Sequence, residues 1–124
     1  MTTQEIADRL VEMNRQNLHL EIYEELYDLE TVESIENWSE REVHKGYDAI
    51  KKKGDFWNSA VEEMHETKVS DPLVADGSFA VTFYMDVTYN ENMGPDMAGR
   101  SVMTELAIYH VNDAGKIYRE EFFG

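Results

Sequence analysis

Glu105 and Glu120 are the residues of this sequence whose surroundings point most directly to chemistry. Each lies in a run that alternates residue by residue. Met103, Glu105, Ala107 and Tyr109 share one face of Ser101–Val111, and Tyr118, Glu120 and Phe122 share one face of Lys116–Phe123. Both acids therefore fall on an otherwise apolar surface, and carboxylates are rarely buried unless paired or used. Desolvation raises a carboxyl pKa, and a second carboxylate nearby raises it again. Such a pair can share one proton near neutral pH, one glutamate acting as base and the other as acid. Tyr109 or Tyr118 would then donate a hydrogen bond to a developing oxyanion. Other readings stay open: an acid at the solvated mouth, a reversed face assignment, or satisfaction by an arginine or by backbone donors.

The element that must position these acids is Phe79 to Tyr89, FAVTFYMDVTY, which follows an Asp76-Gly77 turn. Val81, Phe83, Met85, Val87 and Tyr89 point one way; Ala80, Thr82, Tyr84, Asp86 and Thr88 point the other. Period-two alternation rich in β-branched and aromatic types predicts a long central strand. Val81, Phe83 and Met85 then join Met103 and Ala107 in lining a cavity, with Trp57 as a wall. The opposite face carries Thr82, Tyr84, Asp86, Thr104, Leu106, Ile108, His110, Arg119, Glu121 and Phe123. That mixture suits a subunit interface, with Asp86, His110 and Arg119 forming ion pairs across it.

Ahead of the strands the pattern is helical. Thr2 with Glu5 fits a capping box, and Ile6, Leu10 and Met13 form a stripe. A second helix is expected over roughly Leu18 to Asp28, its stripe of Leu18, Ile22 and Leu26 widened by Tyr23 and Tyr27. Thr31–Ile35 reads as a short strand and Asn37–Lys45 as a polar loop holding Trp38 and His44. A third helix starts at Gly46, with Ile50, Trp57, Val61 and Met64 as its stripe and Lys51-Lys52-Lys53 as a solvated face. Gly54 within it marks a point of kinking or breakage. His65–Val74 with Asp71-Pro72 suits an edge strand or a bulge. Asn90–Arg100, NENMGPDMAGR, is a loop. Helices early and antiparallel strands late predict an α+β fold, a sheet that curls with the helices closing one mouth.

Composition narrows the function. At 124 residues the chain fits one domain, 1–124, and its net charge of −15 comes from 26 acids against 11 lysines and arginines. That balance argues against nucleic acid and anionic membranes as partners. With no cysteine, disulfides, thiolate catalysis and cysteine-ligated metals are excluded. No metal-ligand spacing, phosphate loop, serine elbow or dinucleotide fingerprint is present, so neither a metal nor a cofactor is expected. The start, MTTQEIADRL, has no basic or apolar leader, and a cytoplasmic soluble domain is expected. His44, near Trp38 and Glu36, reads either as a mouth residue titrating near neutral pH or as an exposed loop histidine. His65 stands at a helix-to-strand junction and reads as a helix cap.

Gly46-Tyr47-Asp48-Ala49-Ile50, Asp76-Gly77-Ser78-Phe79-Ala80-Val81, and Ile108-Tyr109-His110-Val111 with Gly115-Lys116-Ile117 and Glu120-Glu121-Phe122-Phe123 carry a resemblance. In their order and spacing the chain resembles the nuclear-transport-factor-two-like superfamily, and within it the SnoaL-like, polyketide cyclase-like proteins. The resemblance implies a cone-shaped sheet, three N-terminal helices closing a blind apolar pocket, and commonly a homodimer through the sheet's outer face. Matching the more distant ketosteroid isomerase puts its base on Ser34, its oxyanion acid on Ala107 and its tyrosine on Leu10 or Val11, so that mechanism is not implied. The late-strand aspartate of SnoaL cyclases falls on Phe122, or on Glu120 with a two-residue slip. The expected function is binding of a small apolar, carbonyl-bearing ligand, with or without cofactor-free acid–base catalysis of isomerase or cyclase type. The alternative is a non-catalytic dimeric module of the same fold. Trp57, Val81, Phe83, Met85, Met103, Ala107, Tyr118 and Phe122 would contact the ligand; Glu105, Glu120 and Tyr109 would carry any chemistry.

Overall fold

The computed structural model describes residues 1–124. Helix α1 spans Thr3–Arg15 and opens on the capping box: the Glu5 amide donates to Thr2 Oγ1, and the Thr2 amide donates to Glu5 Oε1. Its stripe of Ile6, Leu10 and Met13, with Ala7 and Val11, is fully buried. Asn17, at a positive φ of 59°, turns the chain into α2, His19–Leu26, which buries Ile22 and Leu26. Strand β1, Glu33–Asn37, follows, and then β2, Arg41–Lys45, in the segment expected to be a loop. REVHK shows no apolar alternation because β2 is an edge strand, mostly exposed.

Helix α3 covers Tyr47–Ala60 and runs unbroken through Gly54. Val61 and Met64, expected on its stripe, belong instead to strand β3, Val61–Val69, which begins with no intervening loop. Both residues pair with the next long strand, so tertiary pairing decides against the helical period. After the break at Asp71-Pro72 comes β4, Leu73–Ala75, then β5, Ser78–Tyr89, β6, Gly99–Val111, and β7, Ile117–Phe123. A 3-10 turn at Glu91–Met93 lies in the β5–β6 loop, and Asn90 and Asn92 tie that loop to the Ser59 carbonyl near the end of α3.

The sheet order is β2-β1-β7-β6-β5-β3, with β4 also pairing with β5. All neighbours are antiparallel except β1 and β7, so the sheet is mixed. Irregular register in β3 and at the start of β7 bends those strands. Three helices cover one face, where α1 and α2 pack on Phe79, Val81, Ala107, Tyr109 and Ile117. A second, smaller cluster joins Ala60, Val87 and Tyr89 with Trp57, Val61 and Met93. Val81 and Ala107 are 0% exposed in the packed core, and shallow surface depressions lie at Arg15–Asp71 and around Met1 and Gly115.

Candidate acid–base site

Strand register sets a row of side chains across the helix-covered face. His44 on β2 pairs with Ser34 on β1, Ser34 with Glu120 on β7, Glu120 with Tyr109 on β6, and Tyr109 with Phe79 on β5. Paired residues point to the same face of a sheet, so the row is continuous. Tyr109 stacks on Phe79 at 4.9 Å between ring centres. Glu120, in the middle, is 1% exposed.

Tyr27, just past the end of α2, hangs over this row. Its hydroxyl donates to Glu120 Oε2 at 2.5 Å. Tyr23 packs edge-on against Tyr27 at 4.7 Å and leans on Tyr47 of α3 at 5.8 Å. Burial, with Glu120 as the next influence, holds the Tyr23, Tyr27 and Tyr109 phenols well above their usual pKa. They stay protonated and act as donors.

Beside the row, toward the open side, Lys53 of α3 donates to Ser34 Oγ at 2.6 Å and to Glu36 Oε1 at 2.8 Å. Its ammonium also sits 5.0 Å from the centre of the Phe122 ring. The other oxygen of Glu36 accepts from Trp38 Nε1 at 2.7 Å. Glu105 faces the same charges from β6. Burial chiefly, then Glu36, pushes its carboxyl up to about 7; Lys53 opposes them, and Glu120 adds least to the rise. Glu120 is raised by burial, against Lys53, the Tyr27 hydroxyl and Ser34, which favour its ionised form.

The result is a buried carboxyl with its two oxygens in different states. Oε2 is held by a phenol, and Oε1 is buried without a well-formed hydrogen bond, with Ser34 opposite Glu120 in the β1–β7 pair favouring the ionised form. A buried acceptor left open carries a free-energy penalty until something completes it. Such an oxygen is suited to take a proton from, or give one to, a bound molecule. No group of three or more His, Asp or Glu side chains is arranged to hold a metal ion.

Residues 1–124 match the SnoaL-like domain family. The chain belongs to this family. A candidate SnoaL-like polyketide cyclase [carbohydrate phosphatase] from Mesorhizobium loti shares 30% identity and a TM-score of 0.85, with 100% of each chain covered. A candidate SnoaL-like polyketide cyclase from Jannaschia sp. CCS1 shares 15% identity and a TM-score of 0.75, over 98% of this chain and 85% of that one. An NTF2-like protein of Burkholderia thailandensis shares 14% identity and a TM-score of 0.77, over 99% and 90%. No curated protein matches the chain.

Within this SnoaL-like domain the residues singled out from sequence divide into groups. Glu120, Tyr109, Ala107 and Val81 are buried on the expected face, with Phe83, Glu105 and Phe122 partly buried beside them. Met85 and Met103 pair with each other farther along, also half-buried. Tyr118 does not join them. It is the extra residue of a bulge between His110 and Val111, which turns it out beside His110 and sends Ile117 into the core. Trp57 packs in the second cluster rather than against the acids.

Glu105 and Glu120 are not a tight pair. Glu120 pairs with Tyr109, so Glu105 lies about 13 Å farther along β6 at the usual strand rise. Each acid answers mainly to burial and to the Glu36–Lys53 charges. The donor to Glu120 is Tyr27.

Tyr27, Ser34, Glu36 and Lys53 were absent from the sequence-based candidates. Lys53 carried a usable signal: it stands three residues after the buried Ile50 and four before Trp57, on the inward stripe. His44 is half-buried, with Nε2 at 3.6 Å from Glu42. His65 lies within β3 and meets Thr88 Oγ1 at 2.7 Å, so it caps no helix. On the outer face, within the chain, Asp86 pairs with Arg100 at 2.8 Å and Arg119 with Glu121 at 2.6 Å.

Proposed function

We propose that this SnoaL-like domain binds a small carbonyl-bearing ligand and moves protons on it without a cofactor, as an isomerase or cyclase does. The observation that carries this reading is Glu120: a carboxyl 1% exposed, gripped at one oxygen by Tyr27 and open at the other. Glu120 would be the acid–base group. Protonated tyrosines and Lys53 would stabilise charge developing on the ligand oxygen. Glu105, titrating near 7, would be the second proton-active carboxyl. Phe83, Met85, Met103 and Phe122 supply apolar surface for a ring system. The site would act in the cytoplasm; no helix is long and apolar enough to cross a membrane.

The test is exchange of α-protons for deuterium in a panel of cyclic and polycyclic ketones in heavy water, followed by NMR. The wild type should accelerate exchange for part of the panel, and Glu120→Gln should abolish the acceleration. A panel that neither exchanges nor raises the melting temperature, while sugars or small polar acids do raise it, would reject the reading.

A non-catalytic binding module is the second reading, favoured by the filling of the inner face around Val81 and Ala107 by α1 and α2. Either reading is compatible with a homodimer through the outer face of the sheet. Val43, Leu106, Val102 and Tyr118 leave that face 39%, 38%, 59% and 40% exposed. Such area favours a two-fold partner of the same surface. Leu106→Lys is expected to convert a dimer into monomer with little change in helix content. Light scattering that finds the wild type monomeric at micromolar concentration would exclude the dimer.

A further inference from the structure

We propose that Ser34 and Lys53 form a proton path that recharges Glu120 from the open side of the sheet. This rests on the acid–base reading of Glu120 and adds to it the route by which a buried carboxyl regains a spent proton.

Glu120 has few connections. The Tyr27 hydroxyl donates its hydrogen bond to Oε2 and is buried, with no other hydrogen bond to pass charge onward. Tyr23 meets both Tyr27 and Tyr47 through ring packing. Tyr109 stacks on Phe79, and His44 Nε2 makes no hydrogen bond, its near neighbour being Glu42 at 3.6 Å. Glu105 is displaced along β6. What remains is Ser34, opposite Glu120 in the β1–β7 register. Its Oγ accepts from Lys53, and Lys53 donates also to Glu36. The Lys53 and Glu36 side chains are 23% and 15% exposed, and Glu36 is held by Trp38, which is 46% exposed. The hydrogen bonds run from Ser34, opposite the buried carboxyl, through Lys53 and Glu36 toward solvent.

Its polarity is set by the donors. Because Lys53 donates to Ser34, the serine's own proton is free to turn toward an acceptor, and Glu120 Oε1 is the buried acceptor that lacks one. In the recharging step an Nζ–H bond of Lys53 breaks as a new Oγ–H bond forms. The original Oγ–H bond of Ser34 breaks as Oε1–H forms on Glu120. Ammonium and carboxylate become amine and carboxylic acid, and the amine then takes a proton from water at its exposed side, the hydroxide left behind passing into bulk solvent. Charge and protons balance with water as the proton source.

Ser34 and Lys53 are thus positioning and relay groups. The experiment follows the Glu120 carboxyl stretch by time-resolved infrared spectroscopy after a pH jump, the band being assigned by its loss in Glu120→Gln. Ser34→Ala should slow re-protonation by about tenfold or more, and Ser34→Thr should restore it. Lys53→Arg keeps the positive charge yet does not surrender its proton, so it should slow the step by about as much. Circular dichroism establishes that each variant is folded; should Ser34→Ala not fold, Lys53→Arg decides alone. Rates within about twofold of wild type in the folded variants would overturn the path, as would slowing in only one of Ser34→Ala and Lys53→Arg when both fold. Should Glu120 never titrate in the wild type, the acid–base reading falls and the path with it. Should it titrate at an unchanged rate in the variants, the path alone falls.

Discussion

Glu105→Gln is expected to raise the melting temperature by roughly 10 °C at pH 8 while leaving it nearly unchanged at pH 4. In the folded protein burial and Glu36 hold the Glu105 carboxyl at about 7, against 4.5 for the free group. Across that window the folded state binds more protons than the unfolded chain. Stability from this group is therefore fully present below pH 4.5, falls as pH rises, and is gone above about pH 7. At about 1.4 kcal/mol per pKa unit the upper bound is roughly 3.5 kcal/mol, and the loss is smaller because the side chain retains some solvent contact. Glutamine resembles the protonated acid in shape and never ionises, so it escapes the loss. Melting curves at the two pH values decide the matter: an equal shift at both would mean that packing, not ionisation, sets the change.

Lys53→Met should act in the opposite direction, destabilising by about 2–3 kcal/mol at pH 8 and by less at pH 5. Lys53 bonds to Glu36 and Ser34 and lowers the carboxyl pKa of both Glu105 and Glu120. Without it Glu36 is left as a mostly enclosed carboxylate held by Trp38, and the two strand acids rise further. At lower pH more of these acids are neutral, so less repulsion is uncovered. Adding Glu36→Gln to Lys53→Met should recover part of the loss, because the stranded charge goes with it. Urea unfolding of both variants at the two pH values measures this. A single variant within about 0.5 kcal/mol of wild type at pH 8 would show the lysine to be an ordinary surface cation.

The antiparallel half of the fold was legible because alternation there extends over long runs. Val81, Ala107 and Glu120 could be assigned a face by counting in twos. The same counting failed at Tyr118, where the bulge inserts a residue that no pattern of residue types announces. Strand β2 escaped notice because an exposed edge needs no apolar face. The join of α3 to β3 escaped because Val61 and Met64 satisfy helical spacing as well as strand pairing. At the site, the acids stood out as polar residues in apolar runs. Their partners did not: Tyr27 looked like part of a helix stripe and Lys53 like one of three solvated lysines, and only the fold turns both toward Glu120. Ser34 and Glu120 become neighbours through the parallel β1–β7 pairing, which neither segment encodes by itself.

That parallel pairing also sets when the site can exist. Strands β5, β6 and β7 are successive and fold back on their neighbours through short connections, so their pairing closes small loops. Tyr27 meets Glu120 across 93 positions of chain, and Asn37 reaches Glu121 across 84. Contacts of such separation carry a larger closure entropy and slow folding. The three-stranded meander is therefore expected to pair ahead of β1. The raised protonation of Glu120 depends on burial and on groups from β1, α2 and α3, so it is expected to be lost when that edge of the sheet opens.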